Sequence, residues 1–347
     1  DKYISEEDYE KNFFVVPEIG DILMTRIGDI GTASIVTSAE PLAYYVSLAL
    51  LKNSQLNAEY LKANISAPAF QNELWLRTLH TAYPKKINKD EIGKCMIKIA
   101  PQKEEQEQIG AFFESLDNLI TLHQRKVGKL VLIKQSMLQK MFPKEGEKTP
   151  EFRFEGFTDA WEQRKFTDGV SEVGDGLHGT PTYSDDGDVY FVNGNNLVDG
   201  NIVINSETKT VDESQRSVAD KSLDGNTILM SINGTIGNLA YYSGEKLMLG
   251  KSAAYIKVSE FDKKFVYAYL QAPSVQAYFM DSLTGTTIKN LGLKAIREMR
   301  IIAPQDIEEQ NKIGEYFSKL DNLITLHQHK LEKLKDIKKT MLEKMFV

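Results

Sequence analysis

The chain has 347 residues, a formal net charge of −7, 41% hydrophobic and 26% charged residues, and a single cysteine. Its longest apolar runs fall well short of the ~20 residues that a membrane-spanning helix needs. Lone Cys95 excludes an intramolecular disulfide framework and fits a reducing cytoplasm, and the acidic balance opposes holding nucleic acid by unaided charge attraction.

Taken in order, the chain reads as globe, rod, globe, rod. Residues 1–99 form the first globe. Within it, Gly20–Gly28 and Thr32–Val36 read as strands around a glycine turn, and Ala58–Leu79 as helix interrupted near Pro68. CMIKIAP (Cys95–Pro101) reads as a strand in which Cys95 is buried. Residues 100–142 form one long helix: Pro101 precedes it, acidic residues crowd its first turns and lysines its last, as the helix dipole favours. Residues 143–150 (PKEGEKTP) are a polar linker bounded by prolines. The second globe, residues 151–302, is rich in Gly, Asn, Thr and Asp. Short β-type runs fall at Val189–Val192, Asn201–Asn205, Thr227–Ser231, Leu239–Tyr242 and Ala253–Val258, a helix at Asp262–Ser282, and the strand MRIIAP leads out. Residues 303–347 form a second long helix.

The two helices are a repeat. LDNLITLHQ occurs at Leu116–Gln124 and again, without a difference, at Leu320–Gln328. Around it, apolar positions alternate steps of four and three, as in a coiled-coil seam held for about five heptads. In copy one these are Ile109, Phe113, Leu116, Ile120, His123, Val127, Leu130, Ile133, Met137 and Met141. In copy two they are Ile313, Phe317, Leu320, Ile324, His327, Leu331, Leu334, Ile337, Met341 and Met345. At 1.5 Å per residue each helix is a rod of roughly 57 Å. The natural partner for each seam is the other copy, antiparallel about a pseudo-twofold axis, which would bring the mid-helix His123 and His327 together.

The globes repeat more faintly. ILMTRIGDIG (Ile22–Gly31) matches ILMSINGTIG (Ile228–Gly237), and SAPAFQ (Ser66–Gln71) matches QAPSVQ (Gln271–Gln276). The expected fold is therefore α+β, a tandem duplication with two globes separated by two long antiparallel helices. The first globe is expected to be truncated, lacking the counterpart of roughly residues 150–206, so that the chain is part of a longer protein.

These segments resemble the specificity (S) subunits of type I restriction–modification enzymes, over essentially the whole chain. The APQ…EEQ…IG…LDNLI…MF repeats are similar to that family's central and C-terminal conserved regions. PEFRFEGFTDAWEQRKF (Pro150–Phe166) looks like the start of a target-recognition domain. The resemblance implies a non-catalytic, cytoplasmic subunit whose recognition domains each read half of a bipartite site in double-stranded DNA. It implies two modification (methyltransferase) subunits docked on it and two restriction/translocase subunits added, with S-adenosylmethionine and ATP bound by those partners and no cofactor in this chain.

Residue chemistry agrees in offering no catalytic constellation. The Asn/Asp-Pro-Pro-aromatic run of an adenine methyltransferase is missing. SGEKLMLGKSAAYIKV is a near miss for a phosphate-binding loop, with five residues where four are needed and a strand-like run after it. Asp199 with Glu207–Lys209 matches an acidic nuclease pattern by spacing alone. His327 and His329 face different sides of a helix, so no metal site is expected.

Base reading needs Asn, Gln, Arg, Lys, Ser and Thr in loops. The candidates are His178, Thr180, Thr182, Tyr183, Asn193, Asn195, Asn196, Ser231, Asn233, Thr235, Thr286, Thr287, Lys289 and Asn290. Lys251, Lys289, Lys294 and Arg297 are the candidate phosphate contacts, and Arg26, Asp29, Lys85, Lys86 and Lys89 the first globe's offering. On the rods, Arg125, Lys126, Lys129, His329, Lys330 and Lys333 could dock the modification subunits. The contrasting reading, which the acidic balance favours, is a coiled-coil scaffold or interaction protein that does not itself read DNA.

Overall fold

A computed structural model describes residues 3–144, 146–287 and 289–346. The chain divides into two compact units, Asp1–Lys126 with Gln328–Val347, and Val127–His327. No helix among the described residues is long and apolar enough to cross a membrane.

In the first unit, helix α1 (Glu6–Asn12) precedes the antiparallel strands β1 (Ile22–Ile27), β2 (Asp29–Ile35) and β3 (Leu48–Leu51), in the order β2-β1-β3. Helices α2 (Ala58–Ser66), α3 (Pro68–Arg77) and α4 (Lys89–Ile92) follow, and α5 (Lys103–Lys140) begins here and continues into the second unit. The α2–α3 break falls at Ala67, held extended by the proline after it.

The second unit begins with β4 (Glu162–Lys165), β5 (Val170–Asp175), β6 (Val189–Val192), β7 (Leu197–Val198), β8 (Asn201–Ile202), β9 (Thr210–Val211) and α6 (Val218–Lys221). It continues through β10 (Thr227–Ser231), β11 (Leu239–Tyr241), β12 (Leu247–Leu249), β13 (Ala253–Val258), α7 (Lys263–Leu270), α8 (Pro273–Asp281), β14 (Leu283–Thr284) and β15 (Asn290–Leu291). It ends with α9 (Leu293–Glu298), β16 (Arg300–Ala303) and the start of α10 (Ile307–Met345). The main sheet runs β11-β10-β13-β5 and a smaller one β12-β6-β9.

The repeat is visible in the contacts of each unit. In the first, Asn57 caps α2 by accepting from Tyr60 N, and Gln106 of α5 donates to Ala100 O at 2.8 Å while its Oε1 receives Asn57 N. In the second, Asp262 caps α7 through Phe265 N, and Gln310 of α10 donates to Pro304 O at 2.9 Å while its Oε1 receives Asp262 N. One turn on, Gly110 and Gly314 let those capped ends sit against the long helix. A Cβ would lie 2.4 Å from Asn57 Oδ1 in one unit and 2.5 Å from Asp262 Oδ1 in the other, so only glycine fits.

The long helices run antiparallel within each unit. In the first, Phe113 meets Phe346 at 5.8 Å and Lys338 holds Asp117. In the second, Phe317 meets Phe142 at 5.8 Å and Lys134 holds Asp321 at 2.6 Å. These are the same contacts displaced by 204 residues, each made between opposite copies of the repeat. Ile109, Phe113, Leu116, Ile313, Phe317 and Leu320 are buried, and Ile120, His123, Val127, Leu130, Ile324, His327, Leu331 and Leu334 half-buried. His123 belongs to the first unit and His327 to the second.

Four local expectations change. Toward the helix ends the heptad gives way: Ile337 and Met345 are exposed, while Leu138, Phe142, Leu342 and Phe346 are buried. A straight helix drifts from a strict 3.5-residue repeat, and these ends pack on the globes, Phe142 against Trp161 and Phe265 and Phe346 against Tyr60. Second, Asp262–Ser282 is two helices, broken at Gln271–Ala272 ahead of Pro273. Third, Cys95–Pro101 forms no strand. Its counterpart β16 pairs with β4, and the first unit offers 95–101 no such partner among the described residues. The segment is held instead by Asn64 Nδ2, which donates to Lys98 O, and by Tyr60 Oη, which accepts from Ala100 N. Finally, Cys95 is half-buried with its thiol on Glu91 O, and burial pushes that thiol's pKa up.

Candidate nucleic-acid interface

The near-miss phosphate loop is the hub of a loop cluster in the second unit. Gly250–Ser252 is a turn between strands β12 and β13, so no helix N-terminus stands there. Gly250 N donates to Val192 O at 2.8 Å, and a Cβ on Gly250 would lie 2.2 Å from Asn193 Oδ1. Ser252 Oγ donates to Asn193 Oδ1 at 2.9 Å and receives Gly194 N at 2.9 Å, which fixes the 193–196 turn. Asn196 closes that turn by accepting from Asn193 N and donating to Val203 O. On the other side, Ile232 N reaches Ser252 O at 3.0 Å and Asn233 Nδ2 reaches Lys251 O at 3.1 Å. Leu291 N then donates to Ile232 O, and Asn233 bridges Asn290. Leu177 N donates to Leu249 O at 2.7 Å, anchoring the loop that carries His178.

Segments from five parts of the chain thus converge: 177–178, 193–196, 231–235, 250–252 and 290–291. His178, Asn195, Thr235, Lys251, Lys289, Thr286 and Thr287 are exposed, and Asn193, Asn196, Asn233 and Asn290 are half-buried. His178 Nε2 lies 2.8 Å from Asp175 Oδ2, which orients the ring. Ser231 is 0% exposed and its hydroxyl donates to Asn233 O, so it supports the loop from behind rather than facing out. The arrangement can present amide, hydroxyl, imidazole and ammonium groups from rigidly tied turns, the chemistry that reads base edges and phosphates.

The family model described as the type I restriction modification DNA specificity domain matches residues 2–130 and 159–336. The chain belongs to that family. Among solved structures, it is similar to the S subunit of a type I restriction–modification system from M. genitalium. Identity is 15%, with 95% of this chain and 84% of that one covered and a TM-score of 0.63. It is also similar to a chain from a study of complex assembly and conformational transition of the type I R-M system, again at 15% identity, covering 95% and 82% with a TM-score of 0.52. At such identity these likenesses speak for the α+β fold.

Other candidate residues of this specificity-family chain stand apart from the hub. Thr182 exchanges two hydrogen bonds with Gln215, and Tyr183 packs edge-on to Phe191 at 5.9 Å, so Thr180–Tyr183 run beside the smaller sheet. Lys294 faces Glu298 at 3.7 Å, and Arg297 donates to Val173 O. In the first unit Arg26 is committed to Val46 O and Ile87 O, Asp29 accepts from Thr32 Oγ1, and Lys85 lies over the Trp75 ring. Asp199 is the first residue of a tight β7–β8 turn, at φ +48°, which explains it without catalysis. Gly250, Ser252 and Asp175 were missed as site residues. The Gly250–Lys251–Ser252 run was the one signal, and it pointed to a nucleotide.

Proposed function

We propose that this chain is the non-catalytic DNA-recognition subunit of a type I restriction–modification complex in the cytoplasm. The loop cluster around Gly250–Ser252 reads one half of a bipartite site in double-stranded DNA, and the first unit belongs to the head for the other half. The long helices set the spacer between half-sites and dock two modification subunits, to which two restriction/translocase subunits are added. S-adenosylmethionine and ATP are bound by those partners. The observation that carries the reading is the convergence of five loop segments into one tied, polar, outward-facing cluster in a chain of this family.

Docking on the helices is supported by their outward faces. Leu119 and Leu122 are exposed on α5, and so are their repeats Leu323 and Leu326 on α10. Arg125, Lys126, Lys129, His329, Lys330 and Lys333 are exposed as well. Apolar residues rimmed by charge suit protein contact. The partner subunits would also supply the positive surface that a chain of net charge −7 does not.

The acidic balance favours a second reading, an interaction scaffold whose globes bind protein. A gel shift with the cognate modification subunits separates the two. Retarded complexes that survive non-specific competitor DNA support recognition; binding that is absent or indifferent to sequence supports the scaffold.

A further inference from the structure

The loop 79–86 of the first unit differs in chemistry from its counterpart in the second. It is mounted on the end of β1: Leu79 N donates to Lys86 O and Gly28 N to Lys85 O, each at 2.8 Å, and Ile87 N donates to Arg26 O at 3.0 Å. Ile87 is buried at its base. Lys86 bridges Ile27 as Asn290 bridges Asn233. The repeat therefore sets this loop where the second unit carries Thr286 and Thr287.

Small hydroxyl residues there are replaced by rings and cations here. Tyr83, at the tip, is fully exposed, and Trp75 and Leu76 at the foot are 54% and 74% exposed. His80 lies against Trp75 with ring centroids 4.2 Å apart and Nε2 2.9 Å from Trp75 O, and Lys85 Nζ is 4.7 Å from the indole centroid. Residues 77–89 hold Arg77, Lys85, Lys86 and Lys89 and no acidic residue, in a chain of net charge −7. An open face is proper to this place in the fold. In the second unit, with residues 150–206 present, Met280 at the position of Trp75 is 53% exposed, and Thr286 and Thr287 are exposed.

A local excess of cations calls for a polyanion. The groups that this end of the first unit could turn to base edges are spent internally: Arg26 on Val46 O and Ile87 O, and Asp29 on Thr32. Around Tyr83, residues 81–84 add one side-chain hydroxyl, that of Thr81. A ring on a fixed mount meets a base by its face, which requires that base to leave its stack. We propose that Tyr83 stacks on an unstacked base of the half-site that the first unit engages, with Lys86 and Lys89 on neighbouring phosphates. The inference rests on the proposed DNA reading and gives the two heads different modes: ring stacking in the first, polar edge contacts in the second.

Competition binding by the whole chain with its modification subunits tests it, on the cognate duplex and on duplexes with a single mismatch stepped through both half-sites. A mismatch lowers the cost of unstacking. At one position it should tighten binding about tenfold, and Tyr83→Ala should abolish that gain there and at no other position. Tyr83→Ala should also weaken binding to the matched site about tenfold, whereas Tyr83→Phe, which keeps the ring, should bind as the parent does. Lys86→Ala should reduce the slope of log affinity against log salt by about 1, and Tyr83→Ala should leave it unchanged. Sequence-specific binding that is indifferent to Tyr83→Ala would overturn this inference and spare the DNA reading. An equal loss in Tyr83→Phe would make the hydroxyl the contact and overturn it too. Loss of modification-subunit binding in Tyr83→Ala, measured without DNA, would assign the face to protein and overturn it. Absence of specific binding by the parent complex would sink both readings together.

Discussion

Glu309 is a carboxylate taken out of water and held from two sides, by Arg153 through Nε at 2.6 Å and Nη2 at 2.8 Å and by Trp161 Nε1 at 3.3 Å. Arg153→Ala leaves that charge buried and uncompensated, a loss of about 3–5 kcal/mol. It should appear as a lowered denaturation midpoint for the second unit, with the first unit's exchange pattern unchanged. At the loop cluster two exposed residues should fail in different ways. Lys251→Ala should weaken binding to all DNA alike and reduce the slope of log affinity against log salt by about 1. Asn195→Ala should cost about 1–3 kcal/mol on the cognate site and relax the preference at one base pair, with the salt slope intact. Competition titrations at several salt concentrations distinguish these outcomes. Side-chain type alone marked both residues as candidates. It could not separate them from Ser231, because burial depends on how β10 packs in the sheet rather than on the hydroxyl.

At the scale of elements, equivalent ion pairs on the long helices are tuned in opposite directions. Burial raises the Asp117 pKa, but hydrogen bonds from Lys338 and Lys62 outweigh it and hold the carboxyl below its usual range. At Asp321 burial prevails over Lys134, which it shares with Gln271, and the carboxyl is raised. The repeat places Tyr267 where the first unit has Lys62, so the second cation is missing. The signs follow. Asp117 stabilises the fold above the unfolded pKa, and this is lost as pH falls through the lower, folded value. Asp321 favours the fold at low pH and loses that as pH rises through its raised value. Asp117→Asn should therefore cost about 1–2 kcal/mol near neutral pH, whereas Asp321→Asn should cost less there and flatten the pH dependence of the opposite sign. Urea denaturation of each variant from about pH 2 to 7 checks this, the Asp117 loss falling at the acid end and the Asp321 change above the usual carboxylate pKa. The helices themselves were legible, since 38 and 39 residues of period and charge leave few alternatives. Strands such as β4, β5 and β12 were not, because two- to six-residue runs take their identity from a partner elsewhere in the chain. The same dependence explains why CMIKIAP, without a partner strand among the described residues, is not a strand.

For the whole molecule, the proposed function makes helix length the determinant of spacer length. Adding one heptad to each long helix lengthens it by about 10 Å, or roughly 3 base pairs. Methylation-site mapping in cells carrying the altered chain and its partners should find a longer gap between unchanged half-sites. Altered half-sites with the original gap would contradict the idea. Duplication was the most legible feature of the chain, because an identical stretch is hard to reach by chance. The loop cluster was the least legible, because its members lie as far as 113 residues apart, from Leu177 to Asn290, and only folded strands bring them together.

Phe113 answers to Phe346, and Phe317 to Phe142. A change on either helix must therefore be matched by one encoded some two hundred codons away, which slows drift along the whole length of both. Exposed tips such as Asn195, Thr235 and Thr286 carry no such long-distance obligation. Under the proposed function, new target preferences would arise there one substitution at a time, while the frame that carries them stays as it is.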